Sequence, residues 1–289
     1  MNLLDTISFL PDCIAPAGNG SGAERIFKAY AVGGARHMVL SHPLCRRFLE
    51  EPPFLRSLLG KMTELQLDFR DCHAPYGVDF DFNGVCSALE KHHRLMALCG
   101  ELGVKTYTVH LGPLYGDQTI PQALSQARRA AERLLPWAED ADIVLCVENI
   151  YYPTTTVENL LALLRDFPSP HFGFCFDSGH ANVMTYGVRN RILCDWVRAY
   201  WEACGIQPPC EDFTPLWPYL ATCHLHDNPG DSDAHMPPGW EGCTVDWPGL
   251  FARLRKAPRL VSMQTEVHAA CYEHTAAELV ASFRSVFPG

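Results

Sequence analysis

Residues 1–289 read as one α/β domain, a (β/α)8 TIM barrel, on three observations. Short apolar runs alternate with longer amphipathic ones from end to end, eight strands each followed by a helix, which favours a closed parallel barrel over an open sheet. The 289 residues are enough for one such barrel with a full core. The third observation is that metal-ligand residue types gather where the short runs stop, and parallel barrels place their chemistry at the C-terminal ends of strands.

Taken in order, the short runs ending in polar residues or glycine predict strands near 6–10, 36–41, 67–73, 104–110, 143–149, 171–177, 220–226 and 259–267. The amphipathic runs predict helices near 23–33, 54–65, 84–102, 119–139, 156–166, 246–256 and 273–285, with a helical stretch over 179–205. Three passages exceed a minimal barrel: Gly/Pro-rich 11–22, 42–53 with Pro43, Pro52 and Pro53, and 189–219, an extended helical insertion between the sixth and seventh strands. Its Trp196, Trp201 and Trp217 read first as packing, with a pocket wall or a subunit contact as the alternative.

Composition narrows the partners. With 23 basic and 33 acidic residues the formal net charge is −10, which repels polyanions and makes nucleic acid an unfavoured partner. The 13 cysteines are odd in number and include no C-x-x-C pair, as expected of reduced thiols. Met1-Asn-Leu-Leu-Asp-Thr lacks the basic start of a signal peptide, and no apolar run is long enough for a membrane span. The expectation is a soluble cytoplasmic protein with no membrane partner.

The stretch His224-Leu-His226-Asp227-Asn-Pro-Gly-Asp231-Ser-Asp233-Ala-His235 is the richest in ligand types. Strand periodicity points His224 and His226 one way and Cys223 and Leu225 the other. A turn at Asn-Pro-Gly then returns Asp233 and His235, so that a cation could be met by His224 from below and by these two from the loop. Taken singly, each such residue has a bland explanation as a hydrogen-bonded rim or solvated loop group. Yet six consecutive strands end in one: His73, His110, Glu148, Asp177 (followed by His180), His224 and Glu266. Glu148, Asp177 and Glu266 would repel one another unless a cation sat among them. The mixed His/Asp/Glu set suits Mn, Mg, Co or Zn without choosing among them. Cys146 and Cys175 share the inward parity of Glu148 and Asp177, while Cys72 and Cys223 point outward; all four read as packing.

The run His73-Ala-Pro, His110, Glu148-Asn149, Asp177-Ser-Gly-His180, His224-x-x-Asp227, Asp233-x-His235 and Glu266 resembles the xylose isomerase-like TIM-barrel superfamily from about the third strand onward. That superfamily holds sugar and sugar-phosphate isomerases and epimerases, inosose dehydratase-like lyases and endonuclease IV nucleases. In the epimerase branch the resemblance implies one divalent metal ion on Glu148, Asp177, His224 and Glu266. The two glutamates double as the proton-transfer pair around an enediolate, and His180 steadies substrate oxygens or the metal-bound water. The implied substrate is a small sugar or sugar phosphate. Ketohexose epimerases carry a further Glu and Arg where this chain has Thr154 and Gly230, a departure from that subgroup.

In the endonuclease IV branch the same resemblance implies two or three zinc ions, held also by His73, His110, His180, Asp233 and His235, and phosphoester hydrolysis. The passage from His235 to Asp246-Trp247 resembles the glycine-rich loop of the isomerase-like members, with Trp240 and His226 as candidate substrate contacts and Asp246 as a helix N-cap. Resemblance to oligomeric sugar isomerases makes a homo-oligomer an expectation without an interface signature.

Overall fold

The computed structural model describes residues 3–11, 21–84 and 89–287. Eight parallel strands close in sequential order into a barrel: β1 (Ile7–Phe9), β2 (His37–Leu40), β3 (Asp68–His73), β4 (Thr106–Val109), β5 (Val144–Glu148), β6 (Phe172–Asp177), β7 (Leu220–Leu225) and β8 (Met263–Thr265). Around it lie α1 (Ser21–Val32), α2 (His42–Glu50), α3 (Pro52–Glu64), α4 (Leu89–Leu102), α5 (Ile120–Asp140), α6 (Val157–Asp166), α7 (Ser178–Asn182), α8 (Val188–Asn190), α9 (Asp195–Glu202), α10 (Trp247–Leu254) and α11 (Ala276–Val286). The predicted strands and most predicted helices are present. Among the described residues no helix is long and apolar enough to cross a membrane.

Three passages differ locally from the expectation. Pro43 sits in the first turn of α2, and Pro52 and Pro53 open α3; there a missing N–H is harmless and the fixed φ helps, so the passage 42–53, in excess of a minimal barrel, is an added helix and the start of the next. The strand expected over 259–267 is regular only at Met263–Thr265, although Val261 N (2.9 Å) and Glu266 N (3.1 Å) still donate to β7 carbonyls on either side; Arg259 before it donates its guanidinium to the carbonyls of Pro170 (2.8 Å) and Phe172 (3.0 Å). The helical stretch expected over 179–205 is divided. A π-turn at Val183–Gly187 joins α7 to α8, and Arg191 at φ 58° ends α8 before α9 begins. Residues 12–20, most of the Gly/Pro-rich passage, and 85–88, at the start of the fourth helix, lie outside the described residues.

The outer faces of the strands pack against the helices in one core that includes Cys72 and Cys223, while Cys146 and Cys175 cluster inside the barrel, as strand parity predicts, with Ala221, which the register shift between β6 and β7 sets out of step with Cys223. The lower interior is polar where many barrels are apolar. Fully buried Asp71 accepts hydroxyl bonds from Ser8, Thr106 (2.7 Å), Thr222 (3.3 Å) and Ser262. This one carboxylate therefore ties together β1, β3, β4, β7 and the approach to β8. Capping boxes at Thr119/Gln122 and Thr275/Glu278 start α5 and α11.

Candidate active site

Every strand from β3 to β8 delivers a side chain to the C-terminal rim, and the structure gathers the nine predicted ligands there with His226. Glu148, Asp177, His224 and Glu266 each bring one ligand atom within 4.8 Å of the others, all four residues buried. His224 Nδ1 lies 3.2 Å from Glu148 Oε1, 3.0 Å from Glu266 Oε1 and 3.9 Å from Asp177 Oδ2. A second group joins His73 and His110 to Glu148, with His110 Nε2 3.3 Å from Glu148 Oε2 and His73 Nε2 3.5 Å from Glu266 Oε1. A third comprises His180, His226, Asp233 and His235; Asp233 lies 3.1 Å from His180 Nε2, 3.6 Å from His226 Nε2 and 3.2 Å from His235 Nε2. The cation shared by His224, Asp233 and His235 is corrected here: His226, the next inward residue on the same strand, takes that place, and His224 belongs to the glutamates.

The donor set fits divalent cations. Both Glu148 carboxylate oxygens, both His224 ring nitrogens, His110 Nε2, His226 Nδ1 and Asp233 Oδ1 are buried without a hydrogen-bond partner, although they crowd within ion-pair distance of one another. An unpaired buried polar atom costs about 1–3 kcal/mol. Seven in one cleft are better explained as ligand positions than as a failed hydrogen-bond network. Backbone carbonyls set the opposite ring nitrogens, as is usual for metal-binding imidazoles. His73 Nδ1 is 2.8 Å from Ala74 O, His180 Nδ1 is 2.9 Å from Asn149 O, and His235 Nδ1 meets Glu266 O.

Charges balance inside the cleft. Burial alone would raise the Glu148 carboxyl, but His224, His110 and His180 overcome it and hold it well below the usual carboxylate range. Burial would lower the His235 imidazole; facing Asp233 instead lifts it to about 9. Burial prevails at His73, which is lowered. Carboxylates and imidazoles thus lower the cost of one another's charge across the cleft. Cys175 also reaches within ligand distance of Glu148 and His224, but burial pushes its thiol well up, consistent with packing.

Neighbouring residues fix the ligands. Asn149 exchanges hydrogen bonds with the Asp177 backbone (2.9 and 3.0 Å), locking β5 to β6. Asp177 caps α7 through His180 N at 2.6 Å, so a candidate ligand carboxylate is also an N-cap. Asp227 accepts from Trp247 Nε1 (2.6 Å), Val245 N (3.1 Å) and Gly239 N (3.3 Å), pinning the loop that follows His235. Asp246 caps α10.

Above the ligands opens a cavity of about 430 Å³. His42, Tyr76, Asp81, Tyr115, Tyr151, Tyr152 and His268 line it together with seven of the predicted ligands, all but Asp177 and His224. None of those seven was singled out as a site residue from the sequence. His42 follows the end of β2, a strand end left out of the ring, and Asp81 lies in the acidic loop after β3; both signals were there to be found. Trp240 packs on Tyr272 and His274, and neither it nor His226 is among the cavity-lining residues. Trp201 is buried and donates to Tyr151 O at 3.0 Å, and Trp196 packs on the Tyr151 ring, so the insertion braces one cavity wall.

The family model described as xylose isomerase-like TIM barrel matches residues 53–284. The chain belongs to that family. No curated protein matches this xylose isomerase-like chain by sequence. Among solved structures it is similar to a D-tagatose 3-epimerase-like protein (16% identity, 98% of this chain and 96% of the other, TM-score 0.70). It is likewise similar to 3-keto-D-glucoside 4-epimerase from E. coli (16%, 97% and 98%, 0.66) and to the IolI protein with a binding zinc atom (14%, 97% and 96%, 0.67).

Proposed function

We propose that the protein is a divalent-metal-dependent isomerase or epimerase of a small sugar, with Glu148, Asp177, His224 and Glu266 holding the ion. The observation that carries this reading is the placement of Glu148 and Glu266, two buried cavity-lining carboxylates that both approach His224 Nδ1, at 3.2 and 3.0 Å. A divalent cation there supplies Lewis-acid polarisation of a substrate carbonyl and its neighbouring hydroxyl. Glu148 and Glu266 then exchange the proton on the adjacent carbon, one removing it and the other returning it. Asp177 is held by the α7 N-terminus and takes no part in proton transfer. His73 and His180 orient the two glutamates.

The test is incubation of the metal-loaded protein with ketoses in D2O, reading deuterium incorporation next to the carbonyl. Glu148→Gln and Glu266→Gln should each reduce exchange by about 100-fold or more, with metal content measured in parallel. Undiminished exchange in both variants, at equal metal content, would sink the mechanism.

The third ligand group, His180, His226, Asp233 and His235, favours a second reading, multi-zinc phosphoester hydrolysis. Two or three zinc ions per chain by elemental mass spectrometry, with hydrolysis of an aryl phosphodiester, would establish it. The net charge of −10 argues against DNA as its substrate.

A further inference from the structure

The cavity has a polar feature that the ligand groups do not use. Asp81 is only 7% exposed, and its carboxylate faces the cavity. Oδ1 accepts from Gly77 N at 2.9 Å and Oδ2 accepts from the Tyr115 hydroxyl. A carboxylate accepts about four hydrogen bonds, so about two remain for a ligand. The Asp81–Tyr115 pair packs directly on Gly112, where a Cβ would stand 2.1 Å from Asp81 Oδ2 and 2.6 Å from the Tyr115 hydroxyl oxygen. The backbone beneath is clamped, with Asn83 Nδ2 donating to Pro113 O at 2.6 Å, Gly112 N to Asn83 Oδ1 at 2.7 Å, and Thr154 Oγ1 to Gly112 O at 2.7 Å. Asp81 is therefore held in place before a ligand arrives.

The surrounding wall is aromatic and lacks basic side chains. Tyr76 stacks on His110 at 5.0 Å and 19°, offering a ring face to the cavity. Among the described residues no Arg or Lys lines the cavity, and residues 12–20 and 85–88 contain neither. Arg46 donates to Tyr76 O at 3.1 Å and lies over the Phe80 ring at 4.9 Å, itself exposed. A phosphate beside Asp81 would thus meet a buried carboxylate that the His110 imidazole faces but no cavity-lining Arg or Lys does. A hydroxyl there would donate a charge-assisted hydrogen bond.

We propose that Asp81 and Tyr115 are the specificity determinants of this site, anchoring hydroxyl groups of an uncharged polyhydroxy carbonyl compound and excluding its phosphorylated counterpart. This rests on the isomerase or epimerase reading above. The experiment is calorimetric titration of the manganese-loaded full chain with D-fructose, D-tagatose, D-ribulose, fructose 6-phosphate, ribulose 5-phosphate and inorganic phosphate.

At least one neutral ketose should bind tenfold or more tighter than its own phosphate. Asp81→Asn should weaken that ketose at least tenfold and narrow the ratio, and Tyr115→Phe should weaken it less. The proposal is overturned if a sugar phosphate binds as tightly as its neutral parent, if neither series binds, or if Asp81→Asn leaves ketose affinity unchanged. Preference for the phosphates would also favour the phosphoesterase reading. The isomerase reading fails separately when a ketose binds in the expected ratio yet exchanges no carbon-bound hydrogen with D2O.

Discussion

His92 shows what a single buried side chain contributes away from the site. On α4 it is 3% exposed, with Nδ1 2.8 Å from the Tyr107 hydroxyl and Nε2 3.0 Å from Phe80 O, so it braces the loop that carries Asp81. Burial lowers its pKa from 6.5 to about 4. Above pH 6.5 the ring is neutral in both folded and unfolded chains, and its contribution is complete. As pH falls below 6.5 the unfolded chain takes the proton first, and stability declines until about pH 4, by about 3 kcal/mol in all. Denaturant midpoints of wild type and His92→Gln, compared from pH 7 to 4, should therefore converge toward acid. A constant difference would show that His92 is not held neutral.

At the scale of elements, the segment after β6 decides how the third ligand group is assembled. The sequence Asp177-Ser-Gly-His180 is legible as a capped helix start, but the reason for glycine is tertiary: a Cβ on Gly179 would stand 2.0 Å from the His226 ring. The π-turn has the same kind of cause, since a Cβ on Gly187 would meet Gly230 O at 1.9 Å. Gly230 in turn adopts φ 89° against Tyr186, leaving no room for the long side chain that ketohexose epimerases carry there. Gly179→Ala should destabilise by about 1–3 kcal/mol through overpacking. Gly60→Ala, in exposed open space on α3, should stabilise by about 0.5–1 kcal/mol. Chemical denaturation of both variants checks the pair; shifts of the same sign would contradict this account of the α7 packing.

For the whole molecule, the barrel concentrates four carboxylates and at least six imidazoles at one rim while its lower interior is held by Asp71 and its hydroxyls. Divalent ions that bind only the folded arrangement stabilise it by mass action, about 2.7 kcal/mol at a hundredfold excess over the dissociation constant. Chelation should lower the melting temperature, and restoring Mn, Co or Zn should raise it again in a concentration-dependent way. A melting temperature indifferent to chelator and metal would remove the support for the ligand groups as a cation site.

Periodicity alone determined the eight strands, their parallel order and the residues at their ends, because alternation along a strand follows from backbone geometry and needs no partner. That is why His73, His110, Glu148, Asp177, His224 and Glu266 were legible as strand-end residues, the family resemblance singling out Glu148, Asp177, His224 and Glu266 as a set, and why Cys146 and Cys72 could be assigned to opposite faces of the barrel wall. Tertiary structure alone decided which ligand-type side chains stand together. His224 and His226 have the same parity, and only the positions of Glu266 and Asp233 across the rim divide them between two groups. It also decided where β8 ends, how α7 and α8 join, and that Asp81, Tyr115 and Gly112 meet from separate loops. Such contacts depend on distances across the barrel, which no local spacing in the chain encodes.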